Sequence, residues 1–215
     1  MLARHMFKTG VLLSLFAIAG TALIAFTFDN TADRIAAEER EFLLRSIQTL
    51  IPPSRYDNDP YSDTISVQAP QLLGSRDPIP VYRARKDGQP VAAVMEPVAP
   101  DGYGGAIKLL VAIAYDGTVL GVRVLNHQET PGLGDNIEID KSNWITSFTG
   151  QSLSKLDNRQ WHVKKDGGVF DQFTGATITP RAVVKAVHNS LKYFSQHRDA
   201  LFAQTAANPE APSHG

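Results

Sequence analysis

The sequence contains no cysteine among its 215 residues. Disulfides, thiolate metal sites, iron–sulfur ligation and cysteine-linked haem or lipid are therefore all excluded. Positive charge is not in excess either, because 21 Lys and Arg residues are balanced by 22 Asp and Glu residues. No basic stripe interleaved with aromatic residues is present, so we expect no nucleic-acid partner. A cysteine-free chain is stable on either side of a membrane, and the compartment has to be inferred from other features.

Signatures of several enzyme classes are also missing. The sequence has no G-x-G-x-x-G fingerprint, no P-loop and no G-x-S-x-G elbow. No motif therefore supports dinucleotide binding, P-loop nucleotide hydrolysis or serine hydrolase activity. We also expect no metal site, because H-x-x-x-H and carboxylate-paired spacings are absent around four histidines. These are His127, His162, His188 and His197.

The N-terminal region contains an uncharged apolar run over residues 11–28. Its length approaches the roughly 20 residues that an α-helix needs to cross a bilayer. A cleaved signal peptide is the alternative, since residues 17–19 read Ala-Ile-Ala, but this weak cleavage site lies inside the run instead of after it. We therefore predict a transmembrane helix over residues 11–28 that contacts the lipid bilayer.

The charges around this run predict its orientation. Arg4 and Lys8 precede the run, whereas Asp29 and Asp33 follow it. The positive-inside rule then places the N-terminus in the cytoplasm and the main domain in the periplasm of a bacterial inner-membrane protein. The predicted organisation is a cytoplasmic N-terminus over residues 1–10, the transmembrane helix over 11–28, a helical connector over 29–53, a periplasmic domain over 54–205 and a disordered tail over 206–215.

The remaining sequence predicts an α+β domain with antiparallel hairpins and a long C-terminal helix. Apolar residues at helical spacing over residues 31–50 predict a connector helix with Thr31 as its N-cap, which Pro52 and Pro53 end. Asp87-Gly88 and Asp116-Gly117 each separate two apolar runs, which predicts two hairpins of one sheet. A third hairpin is predicted around residues 166–168, a short helix around Trp144, and a long helix from Pro180 to about Ala203.

The stretch DQFTGATITP, residues 171–180, marks the start of that long helix. Thr179 is predicted as its N-cap, with Pro180 at the first helical position, where the missing N–H costs nothing. The free N–H groups of a first helical turn attract anions, phosphate above all, and Arg181 and Lys185 would add positive charge. An ordinary capped strand-to-helix turn is the structural alternative.

These residues carry a family resemblance. Asp171 followed by Thr174-Gly175-Ala176-Thr177 resembles the D-x-x-[S/T]-G-A-T flavinylation motif of FMN-binding domains in bacterial respiratory complexes. The resemblance implies that a flavin transferase joins one FMN per chain, through its phosphate, to Thr177. The isoalloxazine ring would then be tuned by hydrogen bonds and burial.

The resemblance extends over nearly the whole chain. The segments PDGYGGAI, TVLGVRVLNHQETPGLGD and KKDGGVFDQFTGATITPRAVV resemble the G subunit of the Rnf (Rsx) electron transport complex. It implies a redox subunit that works with other membrane subunits in coupling electron exchange between ferredoxin and NAD to movement of Na⁺ or H⁺. The C subunit of the sodium-pumping NADH:quinone reductase is the nearest alternative. A different class of function, an exported module that binds a phosphate-bearing ligand reversibly or a scaffold without flavin, also remains open.

Two glycine-containing loops are candidates for contact with the flavin ring. Residues 129–134, Glu-Thr-Pro-Gly-Leu-Gly, offer backbone N–H groups and a hydroxyl to ring carbonyls, and residues 103–105, Tyr-Gly-Gly, offer an aromatic face. Tight turns that use glycine for positive φ are the alternative reading. The predicted cofactor-binding residues are Thr177, Thr174, Gly175, Ala176, Thr179, Asp171, Glu129, Thr130, Gly132, Leu133, Tyr103 and Gly104.

Overall fold

The computed structural model describes residues 2–203, apart from the side chains of residues 2, 3, 29, 32, 33, 36 and 39. The chain divides into two compact units, Met1–Arg45 and Ser46–Gly215. The predicted disordered tail, residues 206–215, lies outside the described residues.

The first helix, α1, is continuous from Leu2 to Leu50. The stretch Arg4–Phe28 is long and apolar enough to cross a membrane, with a mean hydropathy of 2.3 and no part of it buried. The prediction of Thr31 as an N-cap is wrong, because Thr31 lies within α1 and its hydroxyl donates to the carbonyl of Thr27 at 2.8 Å. Neither Gly nor Pro interrupts the residues that follow the apolar run, and the helix ends just before Pro52 as predicted.

The last residues of α1 belong to the core of the second unit. Ile47, Leu50 and the following Ile51 are buried. Leu50 approaches the backbone of Gly121 so closely that a Cβ at Gly121 would lie 2.6 Å from Leu50 Cδ2. The Leu50 side chain would have to shift if position 121 carried a larger residue.

Six antiparallel strands form one sheet. The order is β1-β2-β3-β5-β4, and β6 pairs with β5. Both predicted hairpins are confirmed, and Asp87 and Gly88, with φ of 50° and 75°, form a turn of the type I′ that such hairpins favour. Strands β1 and β4 were not predicted, because four and two residues are too few to show an alternating pattern. The strands are β1 Thr64–Val67, β2 Ile79–Lys86, β3 Gln89–Met95, β4 Val98–Ala99, β5 Ile107–Ala114 and β6 Val119–Asn126.

The described residues of the second unit also contain two further α-helices. A short helix, α2, spans Pro70–Leu73, and the long helix, α3, spans Ile178–Ala203. The predicted apolar stripe of α3 is buried in the core, and full burial of each such side chain contributes about 1.5–3 kcal/mol. The stripe consists of Val183, Val184, Val187, Leu191 and Phe194.

Residues 127–177 form mostly irregular structure with three 3₁₀ turns. These turns span Gly134–Ile137, Asn143–Phe148 and Lys164–Asp166, the second of which corresponds to the helix predicted around Trp144. The hairpin predicted around residues 166–168 is wrong, because Val163 and Phe170 form only an isolated parallel bridge. The Lys164–Asp166 turn occupies the residues that would have extended the first strand.

The C-terminal end of α3 is fixed to β2 by two arginines. Arg83 Nη1 donates to the carbonyl of Leu201 at 2.9 Å, and Arg85 Nη2 donates to the carbonyl of Phe202 at 2.8 Å. Asp63 forms ion pairs with both guanidinium groups, and Arg83 is buried. Cations at this position satisfy the last carbonyls of the helix and complement its dipole.

His188, in the middle of α3, makes the stability of the domain depend on pH. Burial, with the charges of Lys192 and His162, lowers the pKa of the His188 imidazole from 6.5 to about 4. The ring stacks on Trp161 with centroids 5.1 Å apart, and its Nε2 lies 3.1 Å from Asn158 Oδ1. Between the two pKa values the unfolded chain binds a proton that the folded chain does not, so stability falls as the pH falls through this window.

We therefore expect the free energy of unfolding to fall by about 2 kcal/mol more in the wild type than in His188→Gln when the pH is lowered from about 7 to about 4.5. Glutamine retains a donor for Asn158 Oδ1 but does not titrate. Urea unfolding of the full-length protein in detergent, followed by tryptophan fluorescence, measures the difference. Equal losses in the two proteins would contradict the assignment.

Candidate functional site

Helix α3 begins two residues earlier than predicted, which changes the role of Thr179. The helix begins at Ile178, and the carbonyl of Thr177 accepts from Arg181 N at 3.4 Å. Thr179 is therefore not the N-cap; it lies inside the first turn, fully buried, and its hydroxyl donates to Glu129 Oε2. The N-cap prediction failed because the Thr179 hydroxyl donates to the buried Glu129 carboxylate instead of accepting from a backbone N–H group.

Thr177 occupies the position directly before the helix. Its hydroxyl forms no hydrogen bond with residues 2–203, and neither does its N–H nor those of Ile178 and Thr179. Free donors of this kind are expected at the start of a helix, where no preceding turn supplies carbonyls. Within residues 2–203, the arrangement leaves one hydroxyl without a hydrogen bond beside several free backbone donors.

The turn before Thr177 is shaped by Gly175 and anchored by Trp144. Gly175 has φ of +81°, a conformation that strongly favours glycine, and Ala176 N donates to the carbonyl of Phe173 at 3.2 Å. Trp144 Nε1 donates to the carbonyl of Asp171 at 2.7 Å. The motif thus has a defined backbone path even though it belongs to no strand.

Glu129 joins the two predicted loops to the helix. Its Oε1 accepts from the N–H of Gly104 at 3.0 Å, and its Oε2 accepts from the Thr179 hydroxyl. The side chain is 5% exposed, and both oxygens act as acceptors, as an ionised carboxylate does. Three segments that are distant in the sequence therefore meet at one carboxylate.

Glycine is required around this carboxylate for lack of space. A Cβ at Gly134 would lie 2.7 Å from Glu129 Oε2 and 3.0 Å from Thr179 Oγ1, and a Cβ at Gly104 would lie 1.9 Å from the carbonyl oxygen of Gln128. Contacts under 3.0 Å, such as those of 1.9 and 2.7 Å, essentially never occur for real Cβ atoms. Gly104 and Gly134 therefore serve close approach, and neither has a positive φ, whereas Gly105 and Gly132 have a positive φ and open space at their Cβ positions.

His127 supports the backbone of Glu129 from the other side. The N–H of Glu129 donates to His127 Nδ1 at 3.0 Å, and His127 Nε2 lies 2.7 Å from Glu138 Oε1. Because Nδ1 is an acceptor, the ring proton is on Nε2, which donates to the Glu138 carboxylate. This chain of contacts orients the loop that begins at Glu129.

A cavity of about 300 Å³, here called the Thr177 cleft, opens between these segments. Eight of the twelve predicted site residues line it, whereas Asp171, Thr174, Gly132 and Gly104 do not. Gly134 and Ile178 also line it and were not predicted as site residues. The lining consists of Tyr103, Glu129, Thr130, Leu133, Gly134, Gly175, Ala176, Thr177, Ile178 and Thr179.

Apolar side chains are exposed around the Thr177 cleft. Tyr103 is 70% exposed, and Leu133 and Ile178 are also exposed although large and apolar. Single exposed apolar residues are common on protein surfaces, but three that line one cavity indicate a binding site. Ile178 directly follows the motif, but its exposure is visible only in the structure and gave no signal in the sequence.

The cations predicted to help at the site are paired elsewhere. Arg181 forms two hydrogen bonds of 2.5 and 2.6 Å with the Asp166 carboxylate, which lowers the pKa of Asp166, and Lys185 Nζ lies 2.6 Å from Asp101 Oδ2. Both cations line a larger open cavity of about 540 Å³ on another side of α3. Positive electrostatic potential in the Thr177 cleft therefore comes from backbone N–H groups and not from these two side chains.

The close packing around Glu129 predicts that alanine substitution lowers the free energy of unfolding much more at Gly134 than at Gly132 of the same loop. We expect Gly134→Ala to lower the free energy of unfolding by about 3 kcal/mol, because the new methyl group separates Glu129 from Thr179. Gly132→Ala should cost only about 1 kcal/mol for its positive φ, since nothing lies within 4 Å of its Cβ position. Urea unfolding of the two full-length variants in detergent provides the comparison, and equal costs would contradict the crowding at Gly134.

Comparison with known proteins connects this geometry to a family. The family model of the FMN-binding domain matches residues 102–192, and that of the RnfG N-terminal region matches residues 1–50. The G subunit of the ion-translocating oxidoreductase complex of Shewanella oneidensis is 50% identical over 199 residues, which cover 93% of this chain and 94% of that protein. The protein of the same name from Pseudomonas aeruginosa is 50% identical over 204 residues, 95% of each chain, and that from Vibrio cholerae is 49% identical over 197 residues, 92% of this chain and 94% of that protein.

The similarity covers both units of the chain, and the FMN-binding match includes every residue of the Thr177 cleft. The resemblance found in the motif is therefore confirmed at the level of the family. The chain belongs to the family of G subunits of ion-translocating oxidoreductase complexes and contains its FMN-binding domain.

Proposed function

We propose that this chain carries one FMN attached through a phosphoester to Thr177, and that it transfers electrons within an ion-translocating membrane complex. The observation that carries the proposal is the free hydroxyl of Thr177 in the wall of a cleft that lies within the FMN-binding match. When bound, FMN supplies a carrier that accepts electrons from one partner and passes them to another.

The residues of the Thr177 cleft fit a phosphate group at one end. The N–H groups of Thr177, Ile178 and Thr179 donate to no acceptor within residues 2–203, and the N-terminus of α3 presents the positive end of its dipole. A phosphoester at Thr177 would be bound by these donors. Burial of Thr179 against Glu129 keeps its hydroxyl occupied, which favours Thr177 as the attachment point.

The residues at the rim fit a flat apolar ring. Tyr103, Leu133 and Ile178 supply exposed apolar surface, and Thr130 supplies a hydroxyl. We assign ring contacts to these side chains, together with the backbone of Gly175 and Ala176. Gly132 and Gly104 act through loop shape, since neither lines the cavity.

Asp171 and Thr174 lie outside the cleft, and we assign them to recognition by the flavin transferase. The Asp171 carboxylate is exposed and pairs with Lys164 Nζ at 2.6 Å, a contact that a partner can displace at little cost. Thr174 is also exposed. Attachment needs no catalytic base from this chain, because the transferase would supply it.

The electron-transfer role rests on the family. Relatives that are about 50% identical are G subunits of ion-translocating oxidoreductase complexes, which supports a place for this chain beside other subunits of such a complex. The coupled reaction, on this proposal, is electron exchange between ferredoxin and NAD that moves an ion across the membrane. The same flavin chemistry in a sodium-pumping quinone reductase is the alternative that the names of these relatives disfavour.

The membrane arrangement is part of the proposal. The stretch Arg4–Phe28 has the length and hydropathy of a single span in a bacterial inner membrane. Arg4 and Lys8 favour a cytoplasmic N-terminus, which would place the FMN-binding domain in the periplasm.

Covalent attachment of FMN to Thr177 predicts that flavin fluorescence stays with the protein after denaturation. When the full-length chain is produced with a flavin transferase, we expect a fluorescent band on a denaturing gel under ultraviolet light, which disappears in Thr177→Val because the variant has no hydroxyl to esterify. Thr149→Val is the matched control, since Thr149 is exposed, lies outside the cleft and should leave the band unchanged. A dark wild-type band from a host that flavinylates other proteins would instead support reversible binding of a phosphate-bearing ligand, or a scaffold.

The orientation predicts selective labelling, which the absence of native cysteine makes simple to measure. Ser147→Cys lies on the exposed surface of the domain, whereas Ala3→Cys lies before the stretch Arg4–Phe28. We expect a membrane-impermeant maleimide added to intact spheroplasts to label only Ser147→Cys. Labelling of Ala3→Cys alone would reverse the proposed orientation.

A further inference from the structure

Glu129 brings a negative charge into the wall of the Thr177 cleft and has no ion-pair partner among the side chains that the structure describes. The carboxylate is hydrogen-bonded within residues 2–203 only by the Thr179 hydroxyl and the Gly104 amide. The other buried carboxylates of the domain differ in this respect. Glu96 pairs with Lys108 at 2.7 Å, and Asp135 lies 3.8 Å from Lys141 Nζ.

Two features of the fold make this unpaired charge tolerable. The Thr179 hydroxyl comes from the first turn of α3, so the carboxylate lies at the positive end of the helix dipole. Hydrogen bonds to an ionised acceptor are also stronger than those between neutral groups. The cost of burial is thus reduced while the net charge of the wall stays negative.

The position of this charge matters because the cleft is the proposed flavin site. A purely structural link between Gly104 and Thr179 could be made by a neutral amide side chain such as Gln, which also offers an acceptor and a second polar atom. The carboxylate adds an electrostatic field that such a link would not have. Field strength is greatest where water is excluded, as at a side chain that is 5% exposed.

We propose that Glu129 sets the reduction potential of the bound flavin by lowering it. The inference rests on the function proposed above, since it concerns the FMN of that cleft. Reduction adds electrons to the cleft, and repulsion from a fixed negative charge makes their addition less favourable. The structure thereby gives Glu129 a role beyond loop positioning.

The test is a reductive titration of the full-length flavinylated protein in detergent, with visible absorbance recorded against a reference dye at constant pH. We expect Glu129→Gln to have a higher midpoint potential than the wild type, so that at the wild-type midpoint its reduced-to-oxidised ratio is severalfold greater. Glutamine can direct its carbonyl oxygen at Gly104 N–H and its amide at Thr179 Oγ1, which can accept. The loop geometry is therefore retained while the charge is removed.

Two further variants separate charge from structure. Glu138→Gln removes a partly exposed carboxylate, paired with His127, and should move the midpoint far less. Thr179→Val keeps the Glu129 charge but removes a hydrogen bond that partly neutralises it, so its midpoint should be lower than that of the wild type. A general loosening of the site would move Thr179→Val and Glu129→Gln in the same direction, which would overturn the inference.

Failure of the inference about Glu129 can be distinguished from failure of the proposed function. Gel fluorescence of each variant, measured first, reports whether flavin is attached. If the wild type carries no flavin, the proposed function itself is wrong. If flavin is attached and Glu129→Gln has the wild-type midpoint, only the role of Glu129 is overturned. Should Glu129→Gln fail to acquire flavin, the Thr179→Val midpoint decides, because a rise there contradicts the inference and a fall supports it.

Discussion

One hydrogen-bonded carboxylate joins the parts of the chain that surround the cleft. Glu129 links the loop of Gly104 to the first turn of α3 through Thr179, and it lies 25 residues after Gly104 and 50 residues before Thr179. Because the carboxylate occupies the middle, the backbone must approach it closely, which explains why position 134 is glycine. The volume left between the segments is the Thr177 cleft. Without the Glu129 carboxylate, the Gly104 loop would lose its hydrogen-bonded link to α3, and position 134 would lose the contact that requires glycine.

Rigid elements position the rest of the site. The C-terminal end of α3 is fixed by Arg83 and Arg85, and its middle is fixed by the apolar stripe packed into the core. Thr177 lies directly before a helix that is thus constrained along its length. A side chain that is supported in this way varies little in position, which would suit the proposed attachment of FMN to its hydroxyl. The irregular segment before it gains order from Trp144.

The parts of this structure that depend on local signals could be predicted from the sequence. The two hairpins follow from Asp-Gly turns between apolar runs, and α3 follows from its apolar period. The role of Thr179 could not be predicted, because it depends on a carboxylate 50 residues away. The wrong hairpin near residue 167 has a different, local cause, since residues that favour a hairpin turn also suit a 3₁₀ turn. Thr177 was singled out by a family motif and not by physics, and its modification stays a prediction.

Trp144 gives the protein an optical property of its own. The chain has only two tryptophans, and Trp161 is buried against His188, whereas Trp144 is partly exposed and bonded to the backbone of Asp171 within the motif. Indole emission overlaps the absorption of oxidised flavin, so a flavin attached beside this residue would receive its excitation energy. The emission of an intact, unlabelled sample would then report what fraction of molecules has been loaded. Such a reading needs neither denaturation nor a fluorescent tag.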